Sequence, residues 1–178
     1  AKYKSFETKE EATKAFEKGY EHYLKTASSS KAAAGLTPKT PVGKPIWESL
    51  CVDAACSGNP GNMEYRGVYP PTMQEIFRIG PLKKGTNNIG EFLALVHGLA
   101  LLKQKGSSLP IYSDSRNAIG WVKKKKCKTL LERVPENEPI FDMIERAEKW
   151  LKTNTYTTPI LKWETSEWGE IPADFGRK

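Results

Sequence analysis

Residues 52–61 read VDAACSGNPG. They follow Leu50 and Cys51, so Asp53 closes an apolar run just before a cluster of Ser, Gly, Asn and Pro. Such a cluster is ordinary turn chemistry, and Asp53 alone reads equally well as a turn residue. A carboxylate inside a buried strand is costly unless it is paired or meets a metal. The choice depends on what the rest of the chain brings to the same place.

Working outward, strand-like segments at about 46–54, 62–69 and 74–79 are separated by turns at 58–61 and near Pro70 and Pro71. Closely spaced strands with short turns indicate an antiparallel meander. A helix follows over about 88–104, with Phe92, Leu95, Val96, Leu99 and Leu102 as its buried stripe. Next come a short apolar strand at 109–113, a helix at 115–124 and a lysine-rich loop, KKKKCK, at 123–128. Pro139 suits the first turn of a helix running to about 151. A strand at 159–164 and a short terminal helix near 172–177 complete the chain. The order β-β-β-α-β-α-α-β-α predicts an α/β fold, a mixed sheet with helices on its faces. Upstream, Thr8 and Glu11 have capping-box spacing for a helix over 8–24. Residues 25–45, KTASSSKAAAGLTPKTPVGKP, have little to bury and read as a linker.

A chain of 178 residues accommodates one domain and a small appendage. Its net charge of +7 and pI near 9.2 point to a polyanionic partner, nucleic acid ahead of a membrane surface. No apolar run approaches the roughly 18 residues of a membrane span, and the first residues, AKYKSFETKEE, have no apolar signal core. Cys51, Cys56 and Cys127 have no motif spacing and read as free thiols in a reducing compartment. His22 and His97 lie too far apart in sequence to suggest a zinc enzyme.

Asp53 and Asp114 stand at the ends of the first and fourth strands. Sites in open α/β sheets lie outside the carboxyl ends of strands, so if these two strands are neighbours the aspartates lie side by side. Glu91 falls in the first turn of the long helix, Asp174 in the terminal helix and Glu170 just before it. Each has a plain reading: Glu91 as an acid favoured by the helix dipole, Asp114 as an N-cap, Asp174 as solvated surface. Together they strain those readings. Two like charges about 4 Å apart repel by roughly 4 kcal/mol at an effective dielectric near 20, so a cluster needs cations. Oxygen-only ligands suit Mg²⁺ or Mn²⁺, and two such ions serve phosphodiester hydrolysis.

The stretches VDAACSGNPG, GTNNIGEFLALVHGL, IYSDSRNAIGWV and WETSEWGEIPADFGRK occur in this order. They resemble the catalytic domain of type 1 ribonuclease H, in the bacterial branch whose last motif reads Trp-Gly-Glu-Ile-x-Ala-Asp. The resemblance covers about 45–178. It implies a ribonuclease H-like fold, a five-stranded mixed sheet of three antiparallel strands followed by two parallel ones. It also implies endonucleolytic cleavage of the RNA strand of RNA–DNA hybrids with two Mg²⁺ ions, Mn²⁺ being a substitute, leaving 3′-hydroxyl and 5′-phosphate ends. On the same basis Asp53, Glu91, Asp114 and Asp174 would bind metal, Asp53 bridging the ions and Asp114 holding the one that activates water. Glu170 would serve metal exchange or product release. Ser57, Gly58, Asn59, Asn87 and Asn88 would approach the RNA minor groove and its 2′-hydroxyls, with Arg116 where the branch often has Gln. Thr86, Asn88 and Thr129 would hold a DNA-strand phosphate, and Trp121 would pack on a DNA sugar. Ala55 stands where the family usually has Gly.

Residues 1–24 resemble the C-terminal half of a small hybrid-binding domain, Tyr3 and Lys4 matching its contact segment; 25–44 would be a flexible linker and 45–178 the catalytic domain. A cytoplasmic monomer is the default expectation, the compartment following from the free thiols. Two other classes compete with a hybrid-specific ribonuclease. A DNA nuclease or recombinase on the same core would cut DNA duplex as readily. A non-catalytic hybrid-binding module has no use for a cluster of negative charge facing a polyanion. In any nucleic-acid enzyme the lysines at 123–128 would touch phosphates, in a contact that weakens as salt rises.

Overall fold

The computed structural model describes residues 43–176. The helix expected over 8–24, the hybrid-binding segment and nearly all of the linker lie outside the described residues. Five strands, β1 (Leu50–Cys56), β2 (Gly61–Tyr69), β3 (Gln74–Gly85), β4 (Ile111–Ser113) and β5 (Ile160–Lys162), form one sheet in the order β3-β2-β1-β4-β5. The first three are antiparallel neighbours, and β4 pairs in parallel with β1 and β5. This is the mixed sheet expected. It makes β1 and β4 the neighbours that the argument from Asp53 and Asp114 requires.

β1 is central, and both of its faces are covered. Leu50, Val52 and Ala54 point towards α1 (Asn87–Gln104) and join the main core. Cys51 points the other way, into a smaller cluster with Val68, Tyr112, Trp163, Ile171 and Ala173. That double burial explains why β1 reads as a continuous apolar run. β3 runs to Gly85, six residues beyond the strand expected at 74–79, and contains Pro81. Proline lacks a donor and is tolerated in a strand at a sheet edge, which is where β3 lies.

The expected stripe of α1 is buried, and so are Ile89, Gly90, Glu91, Leu93, Ala94 and Gly98. A helix apolar on most sides belongs inside a core; the sheet, α2 (Arg116–Lys124) and α3 (Glu138–Thr153) surround it. Gly90 and Gly98 permit its close seat on the sheet. A Cβ at Gly90 would stand 2.7 Å from the Ala54 Cβ, and one at Gly98 2.5 Å from the Ile111 Cδ1. Thr86 caps α1 by accepting the Ile89 N–H, and Ser115 caps α2 by accepting that of Ala118.

The C-terminal part corrects the sequence reading. A short helix, α4, spans Thr165–Trp168, ahead of the expected position. The described part of 172–177 is a turn and not a helix, closed by the Asp174 N–H donating to the Ile171 carbonyl at 2.8 Å. Pro172 has no N–H and Gly176 has a φ of +71°. So short a segment gains more by burying Ile171 and Ala173 against the sheet than from a helix nucleus.

Candidate metal centre and nucleic-acid interface

The β1–β4 ladder stops after the Cys51–Tyr112 pair. Beyond it the two strands supply Asp53 and, just past β4, Asp114. The Ala54 N–H donates to Glu91 Oε1 at 2.8 Å, bringing a residue of α1 to the same strand ends. One carboxylate oxygen each from Asp53, Glu91 and Asp114 lies within 4.8 Å of the others. Asp53 and Glu91 are almost fully buried, at 0% and 1% exposure, and Asp114 is half-buried. Ser113 Oγ donates to Glu91 Oε2 at 3.4 Å and accepts the Ser115 N–H.

This grouping has an electrostatic consequence. Burial, then the hydrogen bond and charge of Asp53 and the charge of Asp114, push the Glu91 carboxyl well above its ordinary 4.5. The Ala54 N–H pulls the other way and is outweighed. A buried carboxyl whose charged form is opposed by two neighbouring acids, in a site with oxygen donors only, fits a hard divalent cation such as Mg²⁺ or Mn²⁺.

Asp174 is not one of the three clustered acids. It sits in the C-terminal turn, half-buried, with Oδ2 accepting the Gly176 N–H at 3.0 Å. Its main chain is tied to β2: Arg66 Nε donates to the Ala173 carbonyl at 2.8 Å and Nη2 to that of Asp174 at 2.7 Å. Arg66 is the ladder partner of Asp53. Glu170 is exposed, just after Gly169, whose carbonyl accepts the Trp163 indole N–H.

The residues expected to contact nucleic acid lie in four places. Ser57, Gly58 and Asn59 are exposed in the β1–β2 turn, closed by the Ser57 N–H to the Asn62 carbonyl and the Asn62 N–H to Ser57 Oγ. A Cβ at Gly61 would meet the Gly58 nitrogen at 2.4 Å, so this turn requires glycine there. An open cleft of about 270 Å³ lined by Ala55, Cys56, Ser57, Asn62, Glu64 and Pro81 adjoins it. Thr86, Asn87 and Asn88 form the start of α1, Asn87 and Asn88 exposed. Arg116 and Trp121 are on α2, Trp121 edge-on to Phe92 with ring centroids 6.3 Å apart. Thr129 follows the lysine segment and accepts the Leu131 N–H. Lys123 and Lys124 end α2, and Lys126 pairs with Glu148 at 3.4 Å.

Ser113 and Arg66 were not among the residues that sequence reasoning selected. Ser113 stands beside Asp114 in IYSDS, a polar residue closing an apolar strand, and was legible there. Arg66 becomes visible only through the register of β2 against β1. The three cysteines are free, as expected.

A mixed sheet that gathers carboxylates at the ends of its two central strands defines an α/β domain with a candidate divalent-cation centre. The chain belongs to the RNase H family, whose model matches residues 48–162. The Ribonuclease H of Rhodopirellula baltica is 41% identical over 75 residues, 41% of this chain and 46% of that protein, so the chain spans about half the length of this relative. The Ribonuclease H of Rickettsia bellii is 31% identical over 137 residues, 70% of this chain and 83% of that protein. Among solved structures, RNase H1 from the archaeon Halobacterium salinarum matches with 19% identity and a TM-score of 0.41, covering 67% of this chain and 86% of that one. LC11-RNase H1 in complex with an RNA/DNA hybrid matches with 18% identity and a TM-score of 0.40, covering 66% and 86%. Among the described residues no helix is long and apolar enough to cross a membrane.

Proposed function

We propose that this chain is an endoribonuclease that hydrolyses the RNA strand of RNA–DNA hybrids with two divalent ions, leaving 3′-hydroxyl and 5′-phosphate ends. The observation that carries the reading is the meeting of Asp53, Glu91 and Asp114 within 4.8 Å in a chain of net charge +7. A basic surface draws a polyanion, and an acidic cluster on it repels that polyanion unless cations intervene. Asp53, Glu91, Asp114 and, from the C-terminal turn, Asp174 would hold the ions. Mg²⁺ bound there supplies an activated water and charge neutralisation at the leaving oxygen.

The remaining work belongs to the chain itself. The Ala54 N–H and Ser113 hydroxyl fix the Glu91 carboxylate, so its orientation is set before substrate arrives. Ser57, Gly58, Asn59, Asn87, Asn88 and Arg116 offer exposed or backbone polar groups for the RNA groove and its 2′-hydroxyls. Thr86, Asn88 and Thr129 would seat a DNA phosphate, Trp121 a DNA sugar, and exposed Glu170 would assist product departure. The lysines of 123–128 add sequence-independent affinity. Residues 45–178 are the catalytic domain in this reading, preceded by a linker at 25–44 and the C-terminal half of a hybrid-binding domain at 1–24, in a cytoplasmic monomer.

The test uses end-labelled RNA–DNA hybrid, RNA duplex and DNA duplex of one sequence, each with Mg²⁺ and with EDTA. Metal-dependent cutting of the RNA strand in the hybrid alone is the expected result. Equal cutting of the DNA duplex, or tight hybrid binding with no cleavage in Mg²⁺ or Mn²⁺, overturns it.

A further inference from the structure

Directly paired residues in adjacent strands present their side chains on the same face. Asp53 pairs with Arg66, and Arg66 with Arg78 on β3, so the three form a row across β1, β2 and β3. The C-terminal turn crosses the face to which this row belongs, which also carries Cys51 and Val68. There Arg66 spends two guanidinium N–H groups on consecutive carbonyls, those of Ala173 and Asp174. The Phe175 ring lies 4.9 Å from the Arg66 Cζ and 5.1 Å from the Arg78 Cζ. Arg78 is in turn held by Glu64, at 2.6 Å from a carboxylate only 8% exposed. Behind the turn, Ile171 and Ala173 are buried at 1% and 0% exposure.

We propose that Arg66 is a positioning residue for Asp174, the acid that the proposed function adds to the Asp53–Glu91–Asp114 cluster: its fork on the Ala173 and Asp174 carbonyls, reinforced by Phe175 lying against both Arg66 and Arg78, fixes the main chain of Asp174 over the sheet face that carries Asp53. The turn is not a helix, so no helical ladder orders Asp174. Its rigidity comes from this fork, the Gly176 N–H on Oδ2 and the two apolar anchors. A planar guanidinium suits the task because its donors have a fixed spacing. A lysine offers one rotating point donor and does not reproduce two parallel bonds. Groups that orient a ligand of this kind typically change metal affinity or activity by about 10–100-fold when removed.

The inference rests on the assignment of Asp174 to the metal centre, and the experiment separates the two. Mg²⁺ and Mn²⁺ binding are measured by calorimetry without substrate, and cleavage is measured as a function of Mg²⁺, for wild type, Arg66→Ala, Arg66→Lys, Asp174→Asn and Arg66→Ala/Asp174→Asn. Arg66→Ala is expected to weaken metal binding and raise the Mg²⁺ needed for half-maximal cleavage by about tenfold, with Arg66→Lys intermediate and KM for the hybrid little changed. The double variant is expected to be no worse than Asp174→Asn alone, because the two losses share one route. Additive losses, or unaltered metal binding in Arg66→Ala, overturn the proposal. If Arg66→Ala does not fold, Phe175→Ala replaces it, leaving the β2 residue intact; the same shift in metal dependence is expected, and an unchanged one overturns the proposal. Asp174→Asn with wild-type metal binding and cleavage refutes the assignment of Asp174 itself, a result distinct from either of these.

Discussion

Asp53→Asn is expected to make the metal-free protein more stable and to abolish metal-dependent cleavage. The carboxylate oxygens of Asp53, Glu91 and Asp114 lie within 4.8 Å of one another. At that distance two full charges repel by about 3.5 kcal/mol with an effective dielectric near 20. The wild type avoids part of this cost because Glu91 keeps its proton well above its ordinary 4.5. The folded state then holds a proton that the unfolded state releases, so stability falls as pH rises from about 4.5 towards the raised value, by up to about 1.4 kcal/mol per pH unit. Asparagine removes one charge and places an N–H₂ donor where it can meet the Glu91 carboxylate. The expected gain in EDTA is about 1–3 kcal/mol near pH 8 and close to zero near pH 5. At about 2–4 °C per kcal/mol for a chain of this size, the midpoint of melting rises by roughly 2–12 °C. Thermal and urea unfolding of both proteins at the two pH values provide the assay. A variant no more stable than wild type near pH 8, or equally stabilised near pH 5, would refute the electrostatic reasoning. Saturating Mg²⁺ should reverse the order by stabilising the wild type more.

Four further outcomes are expected. Mg²⁺ binding should release protons at pH values above the ordinary carboxylate range, because the raised Glu91 carboxyl must ionise to act as a ligand; calorimetry in buffers of different ionisation enthalpy reads this, and Glu91→Gln should abolish most of it. Gly90→Ala should cost about 1–3 kcal/mol from overpacking against the Ala54 Cβ, offset by up to about 1 kcal/mol of helix propensity, and should lower cleavage by moving Glu91 off Ala54. Asn137→Ala should cost about 1–3 kcal/mol in urea unfolding without altering metal dependence, since buried Asn137 bridges the Lys84 and Glu132 carbonyls and the Val134 N–H and touches none of the three carboxylates through these bonds. Replacing Lys123, Lys124 and Lys128 by Gln should flatten the salt dependence of hybrid binding by about one unit of slope per lost phosphate contact.

Much of this protein is legible in one dimension. The apolar run of β1, the turn chemistry of 57–61 and the spacing of Phe92, Leu95, Val96, Leu99 and Leu102 are local patterns, and local patterns specify local elements. The order of those elements narrows the topology to a mixed sheet, because connections are short and follow chain order. Asp53 and Asp114 could therefore be paired in advance, given only that β1 and β4 adjoin. Glu91 was placed by helical periodicity, although its contact with Ala54 needed the two glycines that seat α1 on the sheet.

The C-terminal segment shows where that reasoning ends. A short helix is expected over 172–177, yet the described part is a turn, because Ile171 and Ala173 gain more from the Cys51, Val68, Tyr112 and Trp163 surface than one helical turn offers. No property of 172–177 alone contains that comparison. Arg66 is the same lesson in another form. Alternation along β2 assigns it to a face, but its meeting with Asp53, and the reach of its guanidinium to Ala173 and Asp174, depend on ladder register and on contacts 107 and 108 residues apart in sequence. The sequence by itself determined which acids are present and which elements carry them. Tertiary packing alone decided that three of them share one point, with the Glu91 carboxyl pushed above its ordinary range, because charge repulsion and burial depend on distances between elements that local propensity does not set.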